Sequence, residues 1–204
     1  MKTFALKVLA PVAALVLSAA AQAQVAPDWV RVRSITYAGT GCPAGSVAKN
    51  ISPDRLAFTL IFDNYVAEAG PGVPISQSRK NCQLNVDLEY PAGWTYTLFA
   101  VDYRGYANLQ PNVSGTQKST YYFQGASSQS SAQSTLYGPK NQDYFYRDVI
   151  GNPNWSYCNV FRSLNINTQV RVDNSRAPGN SGLMTTDSID GHVIATYGFT
   201  WRRC

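Results

Sequence analysis

Asp87, Glu89 and Asp102 are the side chains of this 204-residue chain whose type and spacing best suit catalysis. Asp87 and Glu89 stand two residues apart, so both project from one face of an extended strand. Asp102 follows on the facing arm of a predicted hairpin. Two carboxylates about 5 to 9.5 Å apart can hydrolyse a glycoside, one as acid and the other as nucleophile or base. Alternating polar residues on a wet strand face produce the same proximity with no chemistry attached, and that is the plainer explanation. Other chemistries have less support. His192 is the only histidine, it follows a predicted turn, and no Gly-x-Ser-x-Gly elbow accompanies it. With one histidine and no Cys-x-x-Cys pair, zinc lacks ligands. Asp187 and Asp190 could hold calcium with turn carbonyls, yet a hydrogen-bonded turn accounts for them equally. The expectation is therefore no metal and no cofactor.

Binding is better supported than catalysis. The chain has 13 tyrosines and 4 tryptophans, more than one core needs, and Tyr144, Tyr146, Trp155 and Tyr157 fall in predicted loops. Flat rings there can stack on sugars, or else pack beneath the loops as satellite clusters. A second polar group gathers at the hairpin. Arg79 and Lys80 enter its first arm, and Asp102 and Arg104 share a face of its second. A solvated ion-pair network is the ordinary explanation, and a recognition rim the sharper one.

The elements that must position these residues are strands. Cys82, Leu84, Val86, Leu88 and Tyr90 alternate with Gln83, Asn85, Asp87 and Glu89, the period of a strand with one dry face. Pro91-Ala92-Gly93 turns the chain, and Trp94–Val101 is bulky on both sides, as in a covered central strand. The spacing predicts further strands at 29–37, with an irregularity near Ser34, at 46–50, 56–62, 113–123 and 164–172. Asp190-Gly191 predicts a two-residue turn joining 181–189 to 192–203. Gly70-Pro71-Gly72-Val73-Pro74 predicts a long connection over 63–80. The Ser-rich stretch 125–134 suggests a mobile tip or a frayed edge strand. No apolar helical period exceeds two turns. Nine to eleven short strands argue for an antiparallel β-sandwich of jelly-roll or immunoglobulin-like type, with a closed β-barrel as the alternative.

Residues 1–23 have the layout of a secretory signal peptide: Lys2 and Lys7, an apolar run over 8–20, and Ala21-Gln22-Ala23. That leaves 24–204 as one secreted domain, with no segment suited to span a membrane. Four cysteines behind such a leader point to two disulfides. Three pairings are possible, and Cys42–Cys82 with Cys158–Cys204, one bridge for each half of the chain, is favoured. Without Lys2 and Lys7 the chain holds 15 cations against 12 anions. That small, scattered excess does not suit nucleic-acid binding. Asn50, Asn112 and Asn154 head glycosylation sequons that matter only in a eukaryotic source.

Several stretches together resemble a known family. They are Gly39-Thr40-Gly41-Cys42-Pro43, Phe58–Asp63, Ser78–Asn85, Val101-Asp102-Tyr103-Arg104-Gly105-Tyr106-Ala107, Leu183–Ser188 and Trp201-Arg202-Arg203-Cys204. The set is similar to the secreted bacterial and fungal proteins of domain-of-unknown-function family 4360. The resemblance spans nearly all of 24–204 and implies secretion and a single domain. It implies no catalytic residue. The expected function is a secreted, non-catalytic binding or structural surface protein recognising an extracellular glycan or cell-wall polymer. The alternative is a carboxylate-dependent hydrolase of extracellular polysaccharide.

Overall fold

A computed structural model of the chain describes residues 26–151, 154–186 and 193–204. The predicted leader, Asp187, Asp190, the Asp190-Gly191 turn and His192 lie outside the described residues. Twelve strands are described: β1 (Arg31–Ala38), β2 (Val47–Ile51), β3 (Ala57–Phe62), β4 (Val66–Ala69), β5 (Arg79–Glu89), β6 (Trp94–Leu109), β7 (Ser114–Phe123), β8 (Ser130–Tyr137), β9 (Lys140–Val149), β10 (Leu164–Asp173), β11 (Gly182–Thr185) and β12 (Val193–Arg203). One sheet runs β1-β5-β10-β7-β8. The other runs β2-β3-β12-β6-β11-β4, with β9 on the free side of β6. All pairings are antiparallel. The molecule is a sandwich and not a closed barrel.

The stretch that reads as a hairpin, 81–107, is the corner of that sandwich. β5 pairs with β1 and β10, and β6 with β12, β11 and β9, so the two arms belong to different sheets. Tyr90 and Trp94 are both buried, and Gly93 turns between them at φ +79°, a conformation glycine adopts without strain. Both arms carry bulky apolar side chains towards each other. Paired strands sit about 4.8 Å apart, whereas facing sheets sit about 10 Å apart and have room for those side chains. Asp102 therefore does not face Asp87 and Glu89 across a ladder.

Two other expectations change, and for the Ser-rich stretch the edge-strand alternative holds. The connection 63–80 contains β4 and a 3-10 turn at Ile75–Gln77. The Ser-rich stretch ends in a true edge strand, β8, paired only with β7. β11 and β12 are not partners but lie end to end along β6, against Ala107–Leu109 and Trp94–Tyr103. The irregularity expected near Ser34 is a bulge between Val32 and Ser34.

β6 has its own bulge. Phe199 pairs with Leu98 and Gly198 with Ala100, leaving Phe99 as the extra residue. A side chain at Gly198 would strike the Phe99 ring, at 2.7 Å, so the glycine makes room for it. The bulge exchanges the faces of β6. Trp94, Tyr96 and Leu98 point inward before it, and Val101, Tyr103, Ala107 and Leu109 after it, all buried. This is why the strand reads as bulky on both sides.

Seven of the 13 tyrosines are buried in the core: Tyr65, Tyr90, Tyr96, Tyr103, Tyr121, Tyr144 and Tyr197. Several tie the sheets through hydroxyls. Tyr65 shares a proton with Thr168 at 2.7 Å, and Tyr103 donates to Ser119 at 2.6 Å and meets the Tyr121 hydroxyl. The core absorbs most of the aromatic surplus that the composition suggested for binding.

Asp148 on β9 is the one buried carboxylate among the described residues, 9% exposed. Burial pushes its carboxyl above the ordinary 3.8, because a charge is poorly solvated there. A raised folded value means the folded state holds the proton to higher pH than the unfolded chain. Stability from this group is therefore full below about pH 4 and declines as pH rises through the folded value. Asp148→Asn should melt above the wild type at pH 7, with the gap closing as pH approaches 4. Thermal melts of both proteins across pH 4–8 check this.

Candidate functional site

A cleft of about 490 Å3 opens on the outer side of the first sheet, where β5 ends and the chain turns the corner. Trp29, Arg33, Asp87, Glu89, Phe161 and Arg162 line it, with Gln124 and Ser163. The bulge in β1 makes Arg33 the extra residue and turns it outward, exposed beside Ser34. Ser34 donates to Asp87 at 2.9 Å, and Ser163 donates to its other carboxyl oxygen. Asp87 is thereby fixed, while Glu89 is exposed.

The opposite wall is the segment 154–163. Ser156 is buried and stitched to the edge of β6. Its N–H donates to Tyr96 O at 2.8 Å, and its hydroxyl accepts from Tyr96 N at 3.0 Å. Thr97 donates to Asn154 O at 2.7 Å. Cys158–Cys204 ties the segment to the end of β12, and Cys42–Cys82 closes the other half of the molecule. Asn159 accepts from Gly93 N at 2.9 Å, joining the wall to the corner. Phe161 is thus presented 54% exposed, edge-on to buried Tyr90 with ring centroids 5.2 Å apart. Trp29 is 37% exposed on the near wall.

Of the aromatic residues singled out in the sequence, Tyr157 and Trp155 lie on this wall segment, though neither lines the cleft itself. Tyr157 is the exposed one of the two, with Arg162 at 5.8 Å from its ring. Tyr144 and Tyr146 are not in a loop but on β9. Tyr144 is buried and donates to Thr185 O, with Tyr146 packed at 5.0 Å. Trp155 is half-buried under Arg202, 3.9 Å from its ring. The predicted rim is also divided. Arg79 and Lys80 sit at the far end of β5 from Glu89, with Lys80 donating to Gln77 at 2.5 Å. Asp102 and Arg104 lie on the other sheet, where Asp102 pairs with Arg147 at 3.3 Å and Arg104 covers Phe145 at 5.6 Å. Asp87 and Glu89 alone of the candidate carboxylates share a cleft.

Trp29, Arg33, Phe161 and Arg162 were not singled out for this role by sequence. They come from two distant stretches, and the one local signal was the broken alternation around Ser34. Among the described residues no group of three or more His, Cys, Asp or Glu side chains could hold a metal ion, and no helix is long and apolar enough to cross a membrane.

Residues 28–204 match the family Domain of unknown function (DUF4360). An uncharacterized secreted protein of Arthroderma benhamiae is 46% identical over 180 residues, 87% of this chain and 73% of that protein. The protein is secreted, like that relative. Among solved structures, TmCBM61 in complex with beta-1,4-galactotriose aligns at 13% identity and a TM-score of 0.29, over 85% of this chain and 90% of that one. The enzymatically active domain of bacteriophage CBA120 tailspike protein 4 aligns at 13% identity and a TM-score of 0.29, over 84% of this chain and 20% of that one.

Replacing both Cys158 and Cys204 by serine frees the cleft wall from β12. Closing a loop of this length is worth about 2 to 4 kcal/mol. The expected outcome is that loss in urea unfolding, with faster proteolysis between 157 and 163. The matched Cys42 and Cys82 serine variant should lose comparable stability while leaving that segment protected.

Proposed function

The chain belongs to the DUF4360 family, and on that premise we propose that it is a non-catalytic binding module which holds an extracellular glycan or cell-wall polymer in the cleft at the corner of the sandwich. The observation that carries this reading is the exposed Phe161, on a wall stitched to β6 and disulfide-bonded to β12, facing a cleft with Trp29 on its other side. Exposed rings on a rigid wall lose little entropy when a sugar ring packs on them. Gln124, Ser163 and Glu89 supply the donors and acceptors a sugar hydroxyl needs.

The hydrolase alternative is left with Asp87 and Glu89. Asp87 accepts from two serine hydroxyls, which hold it in place. Both its carboxyl oxygens are thereby engaged within the protein, which suits a structural carboxylate.

The test is capture of the secreted protein on a panel of insoluble and immobilised polysaccharides, followed by assay of each bound polymer for released sugars. Trp29→Ala with Phe161→Ala should weaken capture about tenfold or more with the fold intact, since each ring contact is worth about 0.5 to 1.5 kcal/mol. Product release abolished by Asp87→Asn would replace this reading with the hydrolase. Capture by no polymer would leave a structural surface role.

A further inference from the structure

We infer that the cleft takes an anionic glycan, a polysaccharide bearing carboxylate groups, read by Arg33 and Arg162 in the cleft and by ring-borne arginines at the same end of the sandwich; this rests on the glycan reading above. The rings at this end of the sandwich hold arginines. Arg31 lies 5.0 Å from the Trp29 ring, Arg162 5.8 Å from Tyr157, Arg202 3.9 Å from Trp155 and Arg203 4.1 Å from Trp94. β1 begins here opposite Glu89, and β12 ends here opposite Trp94. Of these arginines only Arg162 lines the cleft, where Arg33 joins it through the β1 bulge.

These five arginines are exposed. The ion pairs among the described residues are Arg147–Asp102 and Arg171–Asp173, so none of the five has a carboxylate partner there. A guanidinium resting on a ring has already lost much of its side-chain freedom. Its N–H edge remains free to bind a carboxylate through two parallel hydrogen bonds. A ring covered in this way has given one face to its arginine, which favours reading the ligand's charge over stacking on its sugar. Phe161 is the exposed ring in the cleft with no arginine over it.

The acidic groups at the cleft oppose this charge unequally. Asp87 is occupied by Ser34 and Ser163, whereas Glu89 is exposed and without an ion pair among the described residues. Glu89 therefore repels an anionic ligand, and its removal makes a diagnostic test.

Binding is measured to polygalacturonate and to its fully methyl-esterified form, which has the same backbone without the charge. The polyanion should bind about tenfold more tightly or better, and the advantage should shrink severalfold between about 0.05 and 0.5 M salt as screening grows. Arg33→Gln with Arg162→Gln should remove about tenfold of the binding to polygalacturonate and little to the ester. Glu89→Gln should tighten binding about two- to fivefold by removing a like charge. Equal binding to both polymers, weaker binding by Glu89→Gln, or tighter binding to duplex DNA would overturn the inference. Capture by a neutral glucan or chitin alone would overturn it and leave the glycan reading standing. Capture by no polysaccharide would overturn both. Thermal melts of each variant exclude unfolding as the cause.

Discussion

The structure depends on one crossing. Between Glu89 and Trp94 the chain leaves one sheet and enters the other, with Tyr90 and Trp94 buried on either side of the turn. That step converts two strands which alternate like a hairpin into opposite walls of a core. It also leaves the end of β5 uncovered by its neighbour in sequence, and the cleft forms there. The segment 154–163 closes the far side, held by backbone bonds to β6, by Asn159 to Gly93 and by Cys158–Cys204. Cleft and corner are products of the same event.

The largest side chains that are fully enclosed in the core are tyrosines: Tyr65, Tyr96, Tyr103 and Tyr197. Each buried hydroxyl without a partner costs about 1 to 3 kcal/mol; among the described residues Tyr96 and Tyr197 carry such hydroxyls, whereas others find partners across the sheet interface. Tyr65 meets Thr168, Tyr103 meets Ser119 and Tyr121, and Gln117 accepts from Thr186. Such bonds have direction, so they fix how one sheet sits on the other, which apolar contact alone does less strictly. The cleft lies on the first sheet while its far wall is anchored to β6 and β12 of the second, so its shape depends on that fixed relation.

The aromatic residues fall into three physical roles. Seven tyrosines are core. Trp94 and Trp155 are platforms for Arg203 and Arg202. Phe161 and Trp29 are exposed at the cleft. Composition counts all of these alike, which is why abundance pointed towards binding while most of the rings serve packing. The same ambiguity held for the carboxylates: Asp87 and Glu89 share a cleft, but Asp102 balances Arg147 on the other sheet.

Period-two alternation determined the strands at Ala57–Phe62, Arg79–Glu89 and Leu164–Asp173, because a half-buried strand must sort its side chains by face. Broken alternation located the β1 bulge, and four cysteines behind a leader-like segment pointed to the two disulfides that form. Alternation gives a strand's face but not its partner. It could not distinguish a hairpin from a corner at Pro91-Ala92-Gly93, nor show that β11 and β12 follow each other along β6. In Tyr144-Phe145-Tyr146 three aromatics in a row concealed which face was dry, and only pairing with β6 turned Tyr144 inward. The cleft was the least legible feature. Trp29 and Arg33 lie about 130 residues from Phe161 and Arg162, and their meeting depends on sheet order, a long-range property that local spacing does not encode.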